Sequence, residues 1–284
     1  MKDAINDAYI PADMARLAEA SAIRKANRDI ISAFFLAVQA GSFIAFGAAF
    51  FTLVVHDAAL GAGMTQLIGG LAFSLGLILV IIAGADLFTG DTLMVMGCYT
   101  GKVKAARMLR SWLMVFFGNL AGALAILMLV YYSGHWLGNN GAVGAKALSI
   151  ANAKVNLTFA QAFTSGMLCN ILVCLAIWLC YSSRSVTDKI LSIIFPITAF
   201  VAMGFEHSIA HMYFIPAGLL LKNNPEIAAL LNGADLTRLT TSGFLIKNLL
   251  PVTIGNMVGG AIFVGTIYWI LYLRKPKEAA EHRD

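Results

Sequence analysis

Glu206, His207 and His211 stand in the run Gly204-Phe205-Glu206-His207-Ser208-Ile209-Ala210-His211-Met212-Tyr213-Phe214-Ile215-Pro216, halfway along an apolar stretch of 32 residues, Ile190 to Leu221. An imidazole can donate a hydrogen bond to an anion, and its ordinary pKa of about 6.5 lets it exchange a proton near neutral pH. Two imidazoles four residues apart on a helix can also share a metal. Inside a bilayer an ionisable group costs at least about 2.5 kcal/mol and faces the bundle interior or a water path, which makes this run the first candidate site. A second run lies 120 residues earlier in another overlong apolar stretch, Thr65 to Cys98: Gly84-Ala85-Asp86-Leu87-Phe88-Thr89-Gly90-Asp91. Gly-x-acid therefore recurs as Gly84/Asp86 and Gly204/Glu206.

The elements that must position these groups follow from composition. The 284 residues are 59% hydrophobic and 12% charged, with a mean hydropathy of +0.78, which excludes a soluble domain and predicts an all-α integral membrane protein. Six apolar segments stand out: Ile30 to Val55, Thr65 to Cys98, Trp112 to Tyr132, Phe159 to Tyr181, Ile190 to Leu221 and Leu249 to Leu273. Four match the ~20 residues of one spanning helix. The second and fifth are too long for one helix and too short for two, so each is expected to be interrupted, with unwound backbone lining a cavity or buried in protein. Of the 20 Lys and Arg, 15 fall on the side of the two termini when spans alternate. That bias places both termini in the cytoplasm, and it explains the net charge of +5 without nucleic acid. Residues 1–29 carry both charge signs and no apolar core, so they read as a cytoplasmic amphipathic helix and not as a signal peptide. Residues 30–273 form the six-span domain, and 274–284 a cytoplasmic tail. Cys98, Cys169, Cys174 and Cys180 lack metal or disulfide spacing and read as free thiols.

The chain repeats itself. Gly118-Asn119-Leu120-Ala121-Gly122-Ala123 in the third segment matches Gly255-Asn256-Met257-Val258-Gly259-Gly260 in the sixth. Ala37-Val38-Gln39-Ala40-Gly41 matches Ala162-Phe163-Thr164-Ser165-Gly166 more weakly. With the two Gly-x-acid sites, these pair residues 30–132 with 159–273. Three spans per copy is odd, so the second copy inserts upside down, an inverted 3+3 repeat with its broken helices near the midplane.

Gly84 to Thr89, Gly118-Asn119, Gly204 to Ala210 and Pro251-Val252-Thr253-Ile254-Gly255-Asn256 resemble the formate/nitrite transporter family over nearly the whole chain, in its formate-conducting branch. Pro11 to Ala15 and Tyr181 to Ser185 extend the resemblance. It implies an aquaporin-like protomer of six spans with the second and fifth helices interrupted, a homopentamer with one pore per protomer, and pH-dependent transport of formate, passive or proton-coupled, across the bacterial inner membrane. Membrane lipid and protons are the other expected partners. By resemblance, His207 is the central histidine, Thr89 adjusts access beside it, Leu87 and Phe88 form a cytoplasmic-side slit, and Leu77 and Phe200 a periplasmic-side constriction. Lys154, in an external loop, attracts anions; Asn170, Val173 and Asn256 line or support the pore. The N-terminal segment gates the cytoplasmic mouth. Asp86 and Glu206, at the chain breaks, are expected to accept hydrogen bonds from freed backbone N–H groups. His211 departs from the pattern, where asparagine is more usual.

Nitrite and hydrosulfide, also small anions of weak acids, are not separated from formate by spacing. An intramembrane hydrolase would use Ser208, but G-x-S-G is absent and adjacent helical side chains diverge. A haem or metal protein would use His207 and His211, with no further ligand set and no HExxH. No enzyme activity, cofactor or metal is expected.

Overall fold

A computed structural model describes residues 8–274, so the expected tail lies outside the described residues except for Arg274. The regular elements are helices: α1 (Pro11–Ala26), α2 (Ile30–Val55), α3 (Ala62–Leu79), α4 (Phe88–Asp91), α5 (Val95–Tyr99), α6 (Ala105–Tyr132), α7 (Ala142–Val155), α8 (Phe159–Ser182), α9 (Val186–Ala202), α10 (Ser208–Leu221), α11 (Pro225–Ala229), α12 (Leu250–Val258) and α13 (Ile267–Tyr272). Wide π turns join the last two into one helix, Gly243–Tyr272. Among the described residues five helices are long and apolar enough to cross a membrane: Ile30–Val55, Ala62–Gly84, Ala105–Tyr132, Phe159–Ser182 and Gly243–Tyr272. Their outer faces carry exposed Ile31, Phe35, Leu113, Phe117 and Leu129, the surface a lipid or a neighbouring subunit would cover.

Both overlong segments are broken, at different depths. The second runs 23 helical residues before it opens, whereas the fifth opens after the 17 residues of α9 and resumes as the 14 of α10. At 1.5 Å per residue the fifth therefore has two pieces of roughly 25 and 21 Å, each short of a ~30 Å hydrocarbon core. Each break turns on a glycine in left-handed backbone, Gly84 at φ +83° and Gly204 at φ +71°, a conformation that a Cβ disfavours. Each is also entered by a hydrogen bond reaching back five residues, Ala85 N to Val80 O at 2.9 Å and Phe205 N to Phe200 O at 3.0 Å.

Two helices differ from the sequence expectation. Residues before the fourth segment, expected as an external loop with Lys154, form α7, which buries Val143, Ala147, Leu148 and Ala151 and packs against α10. The amphipathic α1 turns its alanine face, Ala15, Ala18, Ala22 and Ala26, inward onto the protein. Its side chains join Met96 and Trp178 in one cluster and Val103 and Val95 in the main core. Small residues let a helix approach closely, which explains docking on protein in place of lying in the headgroup layer.

Candidate functional site

Two asparagines hold the two breaks. Asn119 Oδ1 accepts from Phe88 N at 3.0 Å, while its Nδ2 donates to Asp86 O at 3.0 Å and Ala37 O at 2.7 Å. Asn256 Oδ1 accepts from Ser208 N at 2.9 Å, and its Nδ2 donates to Glu206 O at 3.0 Å and Gly166 O at 2.8 Å. Both asparagines are fully buried. Each thus satisfies the backbone groups that an interrupted helix leaves open. Asp86 N to Leu36 O and Glu206 N to Ser165 O add a second matching pair. These bonds match Leu36 with Ser165 and Ala37 with Gly166, one helical turn from the pairing of Ala37 with Ala162 suggested by the weaker sequence match.

The carboxylates of Asp86 and Glu206 do not take the freed N–H groups as expected; the asparagine amides do. The acids meet cations instead. Asp86 pairs with Arg28, and with Lys25 at 3.2 Å. Lys25 also pairs with Asp91, a buried acid to which the sequence reading assigned no role, and whose backbone carbonyl accepts from Trp112 Nε1 at 2.9 Å. Glu206 pairs with Lys154 from the last turn of α7, whose side chain is 20% exposed. His211 Nε2 lies 3.0 Å from the other Glu206 oxygen, off the axis of a linear hydrogen bond. In a medium of low polarity an unpaired carboxylate is costly, so each break carries its own counter-charge.

Two cavities approach each other at His207. The first, about 460 Å³, is lined by Lys25, Arg28, Asp86, Leu87, Gly90 and Asp91 among others, with α1 forming one wall. The second, about 190 Å³, is lined by Phe73, Lys154, Phe200, His207, His211 and Phe214 among others. Thr89, between Leu87 and Gly90 of the first, lies with its Oγ1 3.1 Å from Nε2 of His207 in the second. His207 Nδ1 accepts from Ala210 N at 3.2 Å, capping α10. That bond assigns the neutral ring's proton to Nε2, which donates to Thr89.

Leu77, Thr89, Val173, Asn170 and Asn256 are buried and line neither cavity. Phe88 turns away from the expected slit and packs edge-on against Phe116 at 5.1 Å and Trp112 at 6.3 Å, so Leu87 alone of that pair lines a cavity. Phe73, which the sequence reading passed over, packs edge-on against Phe200 at 5.7 Å. Phe200 in turn stacks on the His207 ring at 5.9 Å. Asn170 Nδ2 ties Thr89 O at 3.1 Å to Asn256 O at 2.7 Å, which links the two breaks. His207 and His211 turn to different partners, and among the described residues no three His, Cys, Asp or Glu side chains cluster as metal ligands. Among the described residues Ser208 Oγ is buried without a hydrogen-bond partner.

Membrane-length helices, two wired breaks and a buried polar contact lying between two cavities define a polytopic membrane transport protein. The chain belongs to the formate/nitrite transporter family, whose sequence profile matches residues 12–270. It is 42% identical over 274 residues to the formate channel FocA of Escherichia coli K12, covering 95% of this chain and 96% of that one. It is 37% identical over 282 residues to a probable formate transporter of Methanothermobacter thermautotrophicus, covering 93% and 97%. Among solved structures it is similar to a pentameric formate channel with formate bound, at 40% identity and a TM-score of 0.78, covering 86% of this chain and 98% of that one. An FNT family ion channel is similar at 29% identity and a TM-score of 0.79, covering 93% and 99%.

Proposed function

We propose that this chain is a formate channel, not an enzyme, that passes its substrate between the two cavities at the contact of His207 with Thr89. One observation carries the reading: the buried Thr89 hydroxyl, set between Leu87 and Gly90 of the first cavity's lining, lies 3.1 Å from His207 in the lining of the second, and apolar side chains, Leu87 on one side and Phe73 and Phe200 on the other, flank the contact. Apolar walls strip water from an ion, and a stripped carboxylate needs donors. His207 Nε2–H supplies one. The Thr89 hydroxyl accepts that bond, so its own hydrogen is available to the anion; a swing of either side chain opens both donors to one carboxylate. Lys154 at the second cavity and Lys25 and Arg28 at the first present cations to an arriving anion, each set balanced by Glu206 or by Asp86 and Asp91.

The matched wiring of Asn119 and Asn256 supports an inverted 3+3 repeat, with residues 30–132 and 159–273 as its copies, α3 and α4 with α5 as the second span and α9 with α10 as the fifth. The bias of Lys and Arg supports cytoplasmic termini in a bacterial inner membrane, with the first cavity cytoplasmic and the second periplasmic. The similarity to a pentameric channel and the exposed apolar belt support a homopentamer with one pore per protomer.

Purified protein in liposomes, measured for labelled formate uptake across a pH series with nitrite, hydrosulfide and an uncharged solute as competitors, tests the reading. Formate uptake is expected to resist the other two anions, and His207→Ala to lose selective flux while remaining folded. Unchanged flux in that variant sinks the role of His207. Preferential inhibition by nitrite or hydrosulfide reassigns the substrate.

A further inference from the structure

His211 sits where two acceptors converge, and its surroundings assign its protons. Its Nδ1 is 2.6 Å from Asn248 Oδ1, and Asn248 Nδ2 donates to Lys154 O at 2.8 Å. A flipped Asn248 amide would set two carbonyl oxygens face to face, so Oδ1 faces the ring and Nδ1 of His211 carries a hydrogen. The other nitrogen, Nε2, lies 3.0 Å from Glu206 Oε2, an oxygen that has no hydrogen-bond partner among the described residues. In a neutral His211 the bare Nε2 therefore lies 3.0 Å from a carboxylate oxygen, off the line of its lone pair, a close approach that one added proton converts into an ion pair. Both His211 and Glu206 are buried, yet His211 lines the second cavity, which supplies a route for that proton.

We propose that Glu206 and His211 form a proton-binding site at the second cavity, separate from His207, whose occupancy sets the charge an arriving anion meets. The proposal rests on reading that cavity as an anion entrance. With Nε2 empty, Lys154 and Glu206 cancel and the cavity wall is neutral. A proton taken from the outer solution onto Nε2 makes His211 an imidazolium, and Lys154, Glu206 and His211 then sum to one positive charge, one turn of helix from His207. The site would thus draw in the anion most strongly when the outside is acidic, before the anion reaches His207.

The groups around it are few. Lys154 approaches from α7, His207 from the same break, and Cys169 from α8 as a buried thiol near Glu206 and Lys154. Lys247, next to Asn248, lines a different cavity with Arg238. Lys154 is already engaged with Glu206, so the added charge resides on His211.

Histidine-labelled protein in lipid nanodiscs, followed by nitrogen NMR from about pH 8 to about pH 5, reads the site directly. The expected result is an Nδ1 of His211 protonated throughout and an Nε2 that gains a proton as pH falls, with that gain lost in Glu206→Gln. An unprotonated Nδ1, or an Nε2 titration untouched by Glu206→Gln, overturns the proposal. Should Glu206→Gln fail to assemble, Asn248→Ala substitutes for it: the Nδ1 preference is expected to vanish, and its persistence overturns the assignment. Flux then tests the consequence. In liposomes His211→Asn is expected to lower acid-stimulated formate entry by about tenfold, the effect of removing a focused charge. An unchanged acid dependence there overturns the coupling of the site to conduction. Absence of formate flux in the unmodified protein instead overturns the proposed substrate and leaves the NMR result to judge the proton site.

Discussion

The two helix breaks use the same backbone device and opposite chemistry. At the first, Asn119 bonds Phe88 N and Asp86 O; at the second, Asn256 bonds Ser208 N and Glu206 O, position for position. The residue just before the restarted helix is Leu87 in one and His207 in the other. The cations also differ in origin. Asp86 is neutralised by Lys25 and Arg28 from or just after α1, a separate N-terminal helix, whereas Glu206 is neutralised by Lys154 from α7, packed within the bundle. The lesson is that the scaffold of a break and its function are separable: an asparagine and a buried ion pair hold the chain open, and one side chain decides whether the opening does chemistry.

The largest effects should come from the shared scaffold. Asn119→Leu and Asn256→Leu each leave one buried N–H and one break carbonyl without partners, a loss on the order of 4 kcal/mol. Thermal unfolding of the detergent-solubilised protein should show similar losses for both; a difference above about 2 kcal/mol would break the equivalence of the two breaks. Next, Lys154→Met strands a buried carboxylate and should cost roughly 3–5 kcal/mol, and Lys154→Met combined with Glu206→Gln should recover part of that loss. Arg28→Met should cost only about 1 kcal/mol by the same assay, because Asp86 keeps Lys25. Equal losses from Lys154→Met and Arg28→Met would mean that α1 is held as firmly as α7.

Thr89→Val tests the chemical asymmetry. It removes one hydrogen bond to His207, about 1 kcal/mol, and should lower formate flux by roughly fivefold. Leu87→Val, at the position matching His207, should leave the pH profile of flux in place; a shifted profile would show that both breaks take part in proton chemistry.

The smallest effect concerns how α1 is fastened. Glu19 is partly buried, which alone would raise its pKa, but Lys102 and Thr100 outweigh burial and hold the carboxyl below its ordinary 4.5. A lowered carboxyl contributes stability above its unfolded value and loses it as pH falls through the folded value, so the Glu19–Lys102 contact at 2.8 Å should persist to below about pH 4.5. Lys25 is opposed by burial but raised on balance by Asp91 and Asp86, so its contribution is complete at and below neutral pH and is lost only at strongly alkaline pH. Neither group is therefore an acid sensor. Glu19→Gln should loosen α1 by at most about 1 kcal/mol, seen as faster amide exchange in Pro11–Ala26, and should abolish the acid-side loss. Faster exchange of wild-type α1 between about pH 7 and 5 would assign its release to another group.

Much of this was legible from residue order because membrane insertion reads composition locally. Segments of about 20 apolar residues had to become helices, and Ile30–Val55 is recovered to the residue. Gly84 and Gly204, each two residues before an acid in an overlong stretch, marked the breaks, where left-handed backbone favours glycine, and the Gly-Asn pairs marked the repeat without showing what their asparagines hold. The resemblance of GFEHSIA and its neighbours pointed to the family that the comparisons establish.

The rest depends on contacts between distant residues. Lys25 and Asp91 are 66 residues apart and Lys154 and Glu206 are 52 apart, and no periodicity relates them. Phe88 and Phe73 likewise took their places from aromatic neighbours on other helices. Residue order by itself determined which segments cross the membrane, where they open and which ionisable groups lie inside, because hydropathy and backbone preference act within a few residues. Tertiary structure alone decided which cation each acid meets, that asparagines and not carboxylates close the breaks, and that His207 faces Thr89 while His211 faces Glu206, because a buried charge or hydrogen bond is satisfied only by whatever group the packed helices bring within about 3 Å.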